Sequence, residues 1–323
     1  MWRGCAARLP ALSKPSWTCG TLEGMDTRNL LSKRTPARRR AGHNPALFLF
    51  AALLAAAGAA LTYFGFVRTT TGQLADESAW REAELVAPAT RVPALEYLDN
   101  LPLISVFIAL AVVLAVTIAR RRISPAVIAL VTMAGANLAT QLLKNLLLDR
   151  PDRGVITLDF NSLPSGHTTL AASSMAAVFL VTSPRWRPAV AALGGTYAVL
   201  AGSATYFNLW HRPADVVAAF FVVATCTLVG GLVMLRTNPD WNTWPAAGRT
   251  AGSRFWTGAC IVAGVLALGV SAATYAYARW GSGVAALDGR PLYFWSGLAL
   301  IVGVGYALAA LGSLLFSQQA GDR

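Results

Sequence analysis

Two of the chain's three histidines stand in short polar turns, each placed directly before a long apolar run. The first turn is Pro164-Ser165-Gly166-His167 and the second is His211-Arg212-Pro213-Ala214-Asp215. His211 and Asp215 are four residues apart, so a helix running back through Pro213 sets them on one face within a turn. A carboxylate bonded to one imidazole nitrogen fixes the tautomer and leaves the other nitrogen free to attack. In the first turn, Gly166 lets backbone N–H groups turn toward a ligand and Ser165 adds a hydroxyl donor. The helix that follows adds unpaired N–H groups and the positive end of its dipole. A third apolar run closes upstream on Lys144 and Arg150-Pro151. Arginine offers phosphate a two-pronged fork and lysine a point charge. Two His, a Lys, an Arg and an Asp at the edges of apolar segments suit the handling of a phosphate. Each also has a plainer use. Ser165 can cap a helix, and Asp215 can cap another beside an interfacial His211. Lys144 and Arg150 can anchor a span at the membrane surface.

The elements that must position these residues are membrane helices. The chain has 323 residues, of which 55% are hydrophobic and 13% charged, with a mean hydropathy of +0.50. Soluble domains carry about 25% charged residues. Here the charge falls between apolar runs, each of a length to cross a bilayer. Eight spans are predicted, at 46–67, 101–119, 125–147, 168–184, 188–210, 213–235, 255–277 and 293–316. Backbone groups in lipid must pair internally, which makes these segments helices. Their richness in Ala, Gly and Val suits close helix packing. Ionisable residues at the ends of such spans are costly and tend to be functional.

Basic residues set the expected orientation. The tail before the first span holds Arg38-Arg39-Arg40 and several more Lys and Arg against Glu23 and Asp26. Arg120-Arg121-Arg122, the pair Arg185 and Arg187, and the trio Arg236, Arg249 and Arg254 fall in alternate connections, all expected to be cytoplasmic. The stretch 68–100 is acidic and reads as an external loop. Both histidine turns then share the extracytoplasmic side, and both termini are cytoplasmic. The tail itself reads as disordered, a topology signal with a general attraction for anionic lipid. Cys5, Cys19, Cys226 and Cys260 show no metal-like spacing with histidine. No Walker loop and no dinucleotide glycine fingerprint is present.

The three polar segments resemble the motifs of the type 2 phosphatidic acid phosphatase superfamily, whose catalytic core is shared with vanadium haloperoxidases. That family carries Lys, six residues, Arg-Pro; then Pro-Ser-Gly-His; then Ser-Arg, five residues, His, three residues, Asp. Pro164-Ser165-Gly166-His167 matches outright, as do Arg150-Pro151, His211 and Asp215. Two positions depart. Lys144 lies one residue closer to Arg150 than the pattern, with Leu143 in the expected place, and Ala204-Thr205 replaces Ser-Arg. Arg153 and Arg212 are the available substitutes for the missing arginine. The resemblance covers about 125–235 and implies a role for each matching residue. His211 would be the nucleophile, Asp215 its orienting carboxylate, and His167 the proton donor and later the base. Lys144, Arg150, Ser165 and Gly166 would bind the phosphate. No metal or other cofactor is implied.

The expected fold is all-α, a polytopic membrane helix bundle with a six-helix phosphatase core at 45–235 and two additional helices within 255–323. The basic tail at 1–44 and a cytoplasmic loop at 236–254 complete the division. The expected activity is hydrolysis of a lipid phosphate or pyrophosphate, metal-independent, through a phosphohistidine, in a multi-pass plasma-membrane protein. The expected partners are the lipid phosphate substrate and the membrane, with no nucleic acid. Alternatives are a phosphotransferase using the same intermediate, and a silent lipid-phosphate binder or transporter.

Overall fold

The computed structural model describes residues 44–86, 101–121, 123–156, 160–238, 240–244, 251–281 and 290–322. The basic tail expected at 1–44 lies, apart from Asn44, outside these residues, as does 245–250 of the expected loop at 236–254. Nine α-helices follow one another among the described residues: α1 Pro45–Thr62, α2 Thr70–Val86, α3 Leu101–Arg120, α4 Ile123–Leu142, α5 Gly166–Val181, α6 Arg187–Phe207, α7 Pro213–Thr237, α8 Ala251–Trp280 and α9 Leu292–Gln318. Two of them end in π-helical turns, α1 in Tyr63–Val67 and α4 in Leu143–Leu147. The only extended pairing among the described residues joins Thr243–Trp244 in parallel to Gly321–Asp322. The chain is thus an all-α polytopic bundle. Six of its helices are long and apolar enough to cross a membrane, and two shorter apolar ones, Leu103–Ala119 and Gly166–Val181, fall where the other two of the eight expected spans are placed.

Local chemistry starts these helices where they start. Asn44 caps α1, its side chain accepting from the Ala46 N–H at 3.1 Å, with Pro45 in the first turn. Prolines also open α6 and α7. Helix α7 is the centre of the bundle and packs against α1, α4, α5 and α9. The two helices beyond the expected core pack on each other, and α9 also covers α6, α7 and α2. Close approach at the core depends on small residues. A Cβ on Gly202 of α6 would stand 2.5 Å from Val216 Cγ1 of α7. The helices could not sit at this separation with any side chain there.

The polar turns gather at one end of the bundle. The end of α1 reaches the same place, since the Tyr63 hydroxyl donates to Asp149 Oδ1 at 2.7 Å. The start of α1 therefore lies at the other end, where the Asn44 N–H donates to Gln319 Oε1 at 2.7 Å. There Arg187 is stacked 4.0 Å over the Trp241 ring and bonds the side chain of Asn242.

One element departs from expectation. The acidic stretch at 68–100, read as an external loop, contains α2 over Thr70–Val86. Gln73, Asp76, Glu77, Ala79 and Ala83 of α2 are buried. Asp76 and Glu77 are buried and, with the half-buried Glu82, bind groups far away in the sequence, so their charge misreads as solvated, while Glu84 is exposed.

Gly202→Ala is expected to cost about 1–3 kcal/mol by overpacking. Gly258 has no atom within 4 Å of an added Cβ, and Gly258→Ala should raise stability by about 0.5–1 kcal/mol through helix propensity. Unfolding midpoints in detergent for the two variants should move in opposite directions.

Candidate active site

Asp215 joins the two histidine turns. Its Oδ2 pairs with His211 Nδ1 at 3.1 Å and accepts the Arg212 N–H at 3.0 Å. This is a capping-box arrangement in which the carboxylate at the third helical position closes the first turn of α7. The backbone carbonyl of the same residue accepts the Ser165 N–H at 3.0 Å. Asp215 is fully buried and His211 is 6% exposed. The pair leaves the His211 Nε2 as the nitrogen available for chemistry.

His211 reaches this position through the end of α6. Leu209 adopts φ +64°, the left-handed turn that commonly ends a helix. The N–H groups of Trp210 and His211 then both return to the Thr205 carbonyl, at 3.0 and 3.2 Å. Trp80 of α2 fastens the corner by donating from Nε1 to the Leu209 carbonyl at 3.0 Å.

The Pro-Ser-Gly-His turn follows a cis Leu163–Pro164 bond and opens α5. Ser165 is buried and acts as the helix cap, its Oγ accepting from the Thr168 N–H at 3.3 Å. Its own N–H is taken by Asp215. The backbone donor in this turn is therefore the Gly166 N–H, which has no hydrogen bond among the described residues. Gly166 is the first residue of the helix, and a Cβ there would meet Gln141 Nε2 at an ordinary 3.6 Å. The conformational freedom expected of this glycine is not used. His167 lies exposed at the mouth, with its ring centroid 5.1 Å from Trp210 and 6.3 Å from His211. Both imidazoles can reach one bound group.

Arg150 faces the same end. Its Nε and both terminal nitrogens are buried and have no hydrogen-bond partner among the described residues. Burial, and next the nearby Arg212 charge, hold its pKa below the usual arginine value. The loop that carries it is pinned on both sides. Asp149 accepts from Tyr63 and from Arg68, whose NH1 lies 2.8 Å from Oδ1. Gln73 of α2 donates to the Pro151 carbonyl at 2.9 Å, and Asn161 donates to the Leu148 carbonyl at 3.3 Å. Lys144 falls inside the π-helical turn Leu143–Leu147. The rotation of about 100° that one residue makes in an α-helix does not describe its offset there. Its carbonyl accepts from Asn161 at 3.4 Å, while its ammonium has no partner among the described residues.

The missing arginine of the third motif is not replaced by Arg212. Arg212 is 2% exposed and points to α2, its Nε 3.0 Å from Glu77 Oε2 and its NH1 3.1 Å from Ser162 Oγ. Arg153 is exposed. Thr205 is buried and turns its hydroxyl onto the Gly202 carbonyl at 2.8 Å. Two carboxylates missed in the sequence complete the surroundings. Glu77 pairs with Arg212, and Asp76 accepts the Ala214 N–H at 3.0 Å on Oδ1. The signal that could have found them is two adjacent acids inside a 17-residue helix of otherwise amphipathic pattern.

Among the described residues, no group of three or more His, Cys, Asp and Glu is placed to hold a metal. Cys226 and Cys260 are unpaired in the helices, and Cys5 and Cys19 lie outside the described residues.

In comparison with known protein families, residues 109–242 match the model of the PAP2 superfamily. No curated protein and no solved structure matches the chain. The matched segment runs from the middle of α3 through α7, and holds every residue of the three motif segments.

Removing one partner of a buried ion pair costs about 3–5 kcal/mol. Glu77→Ala should therefore lower the unfolding midpoint strongly, because it leaves the Arg212 charge buried. Arg153→Ala, on the surface, should stay within about 0.5 kcal/mol of the unchanged protein. Thermal unfolding of the two variants in one detergent checks the contrast.

Proposed function

Through residues 109–242 the chain belongs to the PAP2 superfamily, and on that premise we propose that it is an integral membrane phosphatase acting on a lipid phosphate or pyrophosphate. Superfamily membership and the apolar helices fit a membrane phosphatase. The observation that carries the reading further is Arg150: a guanidinium buried at all three nitrogens, without a partner, beside the His211–Asp215 pair. A buried cation with unmade hydrogen bonds is expensive unless an anion completes it. A tetrahedral phosphate has the charge and the acceptor geometry to do so.

The lipid part of the proposal rests on the rim. Leu146 and Leu147 on one side of Arg150, and Ile156 and Phe160 on the other, are large apolar residues at 75%, 70%, 83% and 58% exposure. Such a rim suits an acyl or prenyl chain lying among the helices while its head group reaches the histidines. A polyprenyl carrier and a phosphatidate are both of this class. The distribution of basic connections supports an extracytoplasmic site with both termini cytoplasmic.

The reaction proceeds in two displacements. His211 Nε2 attacks phosphorus, and a phosphorus–nitrogen bond forms as the ester phosphorus–oxygen bond breaks. His167 gives its proton to the departing lipid oxygen. Asp215 holds the Nδ1 proton of His211 and stabilises the charge that builds on the ring. A water then attacks the phosphohistidine, His167 takes its proton, and inorganic phosphate leaves with the nitrogen lone pair returned to His211. Arg150, the Gly166 N–H and Lys144 face the equatorial oxygens, where charge is spread. Ser165 contributes as the cap that sets the Gly166 N–H and can add its hydroxyl proton.

Purified protein should release phosphate from at least one member of a panel of lipid phosphates. His211→Ala should reduce the rate about a thousandfold or more, as removal of a nucleophile does. Arg150→Ala should cost about a hundred- to a thousandfold, as loss of an oxyanion donor does. Labelled phosphate should remain on the denatured wild type in an acid-labile, base-stable linkage and be absent from His211→Ala. Release that His211→Ala leaves unchanged refutes the mechanism, and no release from any substrate refutes the phosphatase reading.

A further inference from the structure

We propose that Asp76 is a positioning residue whose carboxyl takes up a proton when a dianion binds at Arg150, so that the site exchanges a proton for the positive charge that Thr205 does not supply. The proposal rests on the reading of Arg150 as the phosphate-binding arginine.

Asp76 is 2% exposed. Its Oδ1 accepts the N–H of Ala214, next to Asp215 in the first turn of α7. Its Oδ2 is buried and has no hydrogen-bond partner among the described residues. An ionised carboxylate with a dry, unbonded oxygen is a costly group, and the neutral acid is much less so. The hydrogen bond to Ala214 uses an acceptor oxygen that both forms keep.

The charges around Asp76 come from every element packed on it. Glu77 is its neighbour on α2. Arg150 faces it from the loop after α4, and Arg212 from the corner before α7. Asp215 faces it from α7, with His211 paired to that carboxylate. Tyr206 of α6 is neutral and nearby. With Asp76 ionised, three buried carboxylates stand against the guanidiniums of Arg150 and Arg212, while the exposed Arg81 of α2 reaches Glu77 Oε1 at 3.6 Å from the solvent side. A dianion added at Arg150 would deepen that excess in a buried setting, where like charges repel strongly. Protonation of Asp76 removes one of the three negative charges, and none of the other carboxyls is as well placed to give way. Glu77 is tied to Arg212. Asp215 also has a buried oxygen without a partner among the described residues, Oδ1, but its Oδ2 takes two hydrogen bonds, from His211 and the Arg212 N–H, where Asp76 takes one.

Burial, and next the Asp215 carboxylate, push the Asp76 pKa up to about 7. The free site is therefore poised between the two forms at neutral pH. A bound anion raises that pKa further, so binding takes up a proton at and above neutrality. Affinity for the anion accordingly falls as pH rises through this range, by at most about tenfold per pH unit for one linked proton.

The test uses the full-length protein in detergent with sulfate, a tetrahedral dianion that does not itself titrate near neutral pH. Infrared difference spectra on adding sulfate at about pH 8 should gain a protonated-carboxyl band in the wild type, a signal that histidine cannot give. The band should be absent from Asp76→Asn, in which sulfate affinity should depend less steeply on pH. If the wild type gains no such band, or if Asp76→Asn keeps both the band and the wild-type pH dependence, the coupling is refuted. That outcome leaves the Arg150 site standing as long as Arg150→Ala abolishes sulfate binding. Sulfate binding that survives Arg150→Ala refutes the site itself, and the coupling with it.

Discussion

A single buried carboxylate holds the polar end of this bundle together. Asp215 bonds His211 and the Arg212 N–H through its side chain, and Ser165 through its backbone carbonyl. The first contact orients an imidazole, the second closes the first turn of α7, and the third docks the start of α5 onto the start of α7. The register of two helices and the tautomer of a histidine thus depend on one residue. Because the group is fully buried, each contact is made at low dielectric and the geometry has little slack.

Helix α2 makes that buried arrangement affordable in charge. Its polar side chains reach the Arg150 loop, the corner before His211 and the start of α9. Gln73 holds the Arg150 loop, Glu77 neutralises Arg212, Trp80 holds the corner before His211, and Glu82 accepts the Phe294 N–H at the start of α9 at 2.9 Å. Through Glu82 and the Ala79 carbonyl, which accepts from Tyr206 at 2.8 Å, α2 ties the additional helix α9 and α6 to the same end. The segment matched to the superfamily contains neither α2 nor α9, yet the surroundings of its histidines are completed by one and braced by the other.

The membrane helices were legible because length and hydrophobicity define them without reference to partners. The turns at Ser165 and Pro213 were legible because caps are local chemistry. Helix α2 was not, because Asp76 and Glu77 find their partners at Ala214 and Arg212, well over a hundred residues away, and only the folded chain turns their charge inward. The same limit applies to Arg212. Its place beside His211 suggested a phosphate ligand, and its partners Glu77 and Ser162 give it another use. Ser165 shows the plainer of its two readings: it caps α5, as its type allows, and so sets the Gly166 N–H beyond it. Lys144 looked displaced by one α-helical step, but the chain forms a π-helical turn there, which no spacing rule anticipates.

The substitution of Thr205 for arginine changes how the site must balance charge. In a site with two free arginines, a phosphate dianion is met by two guanidiniums, and neighbouring carboxylates cost little. Here Arg212 is committed to Glu77, and Thr205 bonds its own helix. Arg150 then stands as the buried guanidinium without a hydrogen-bond partner among the described residues, and in the proposed site the start of α5 and Lys144 would assist it. Its burial weakens its hold on a proton but strengthens its pull on an anion, since the low dielectric that penalises a lone charge also deepens its attraction to an opposite one. A cradle with one fixed cation, a helix N-terminus and a buried acid that can turn neutral can still accept a dianion. In the proposed coupling it would do so by lowering its own negative charge, where a second arginine would have raised the positive.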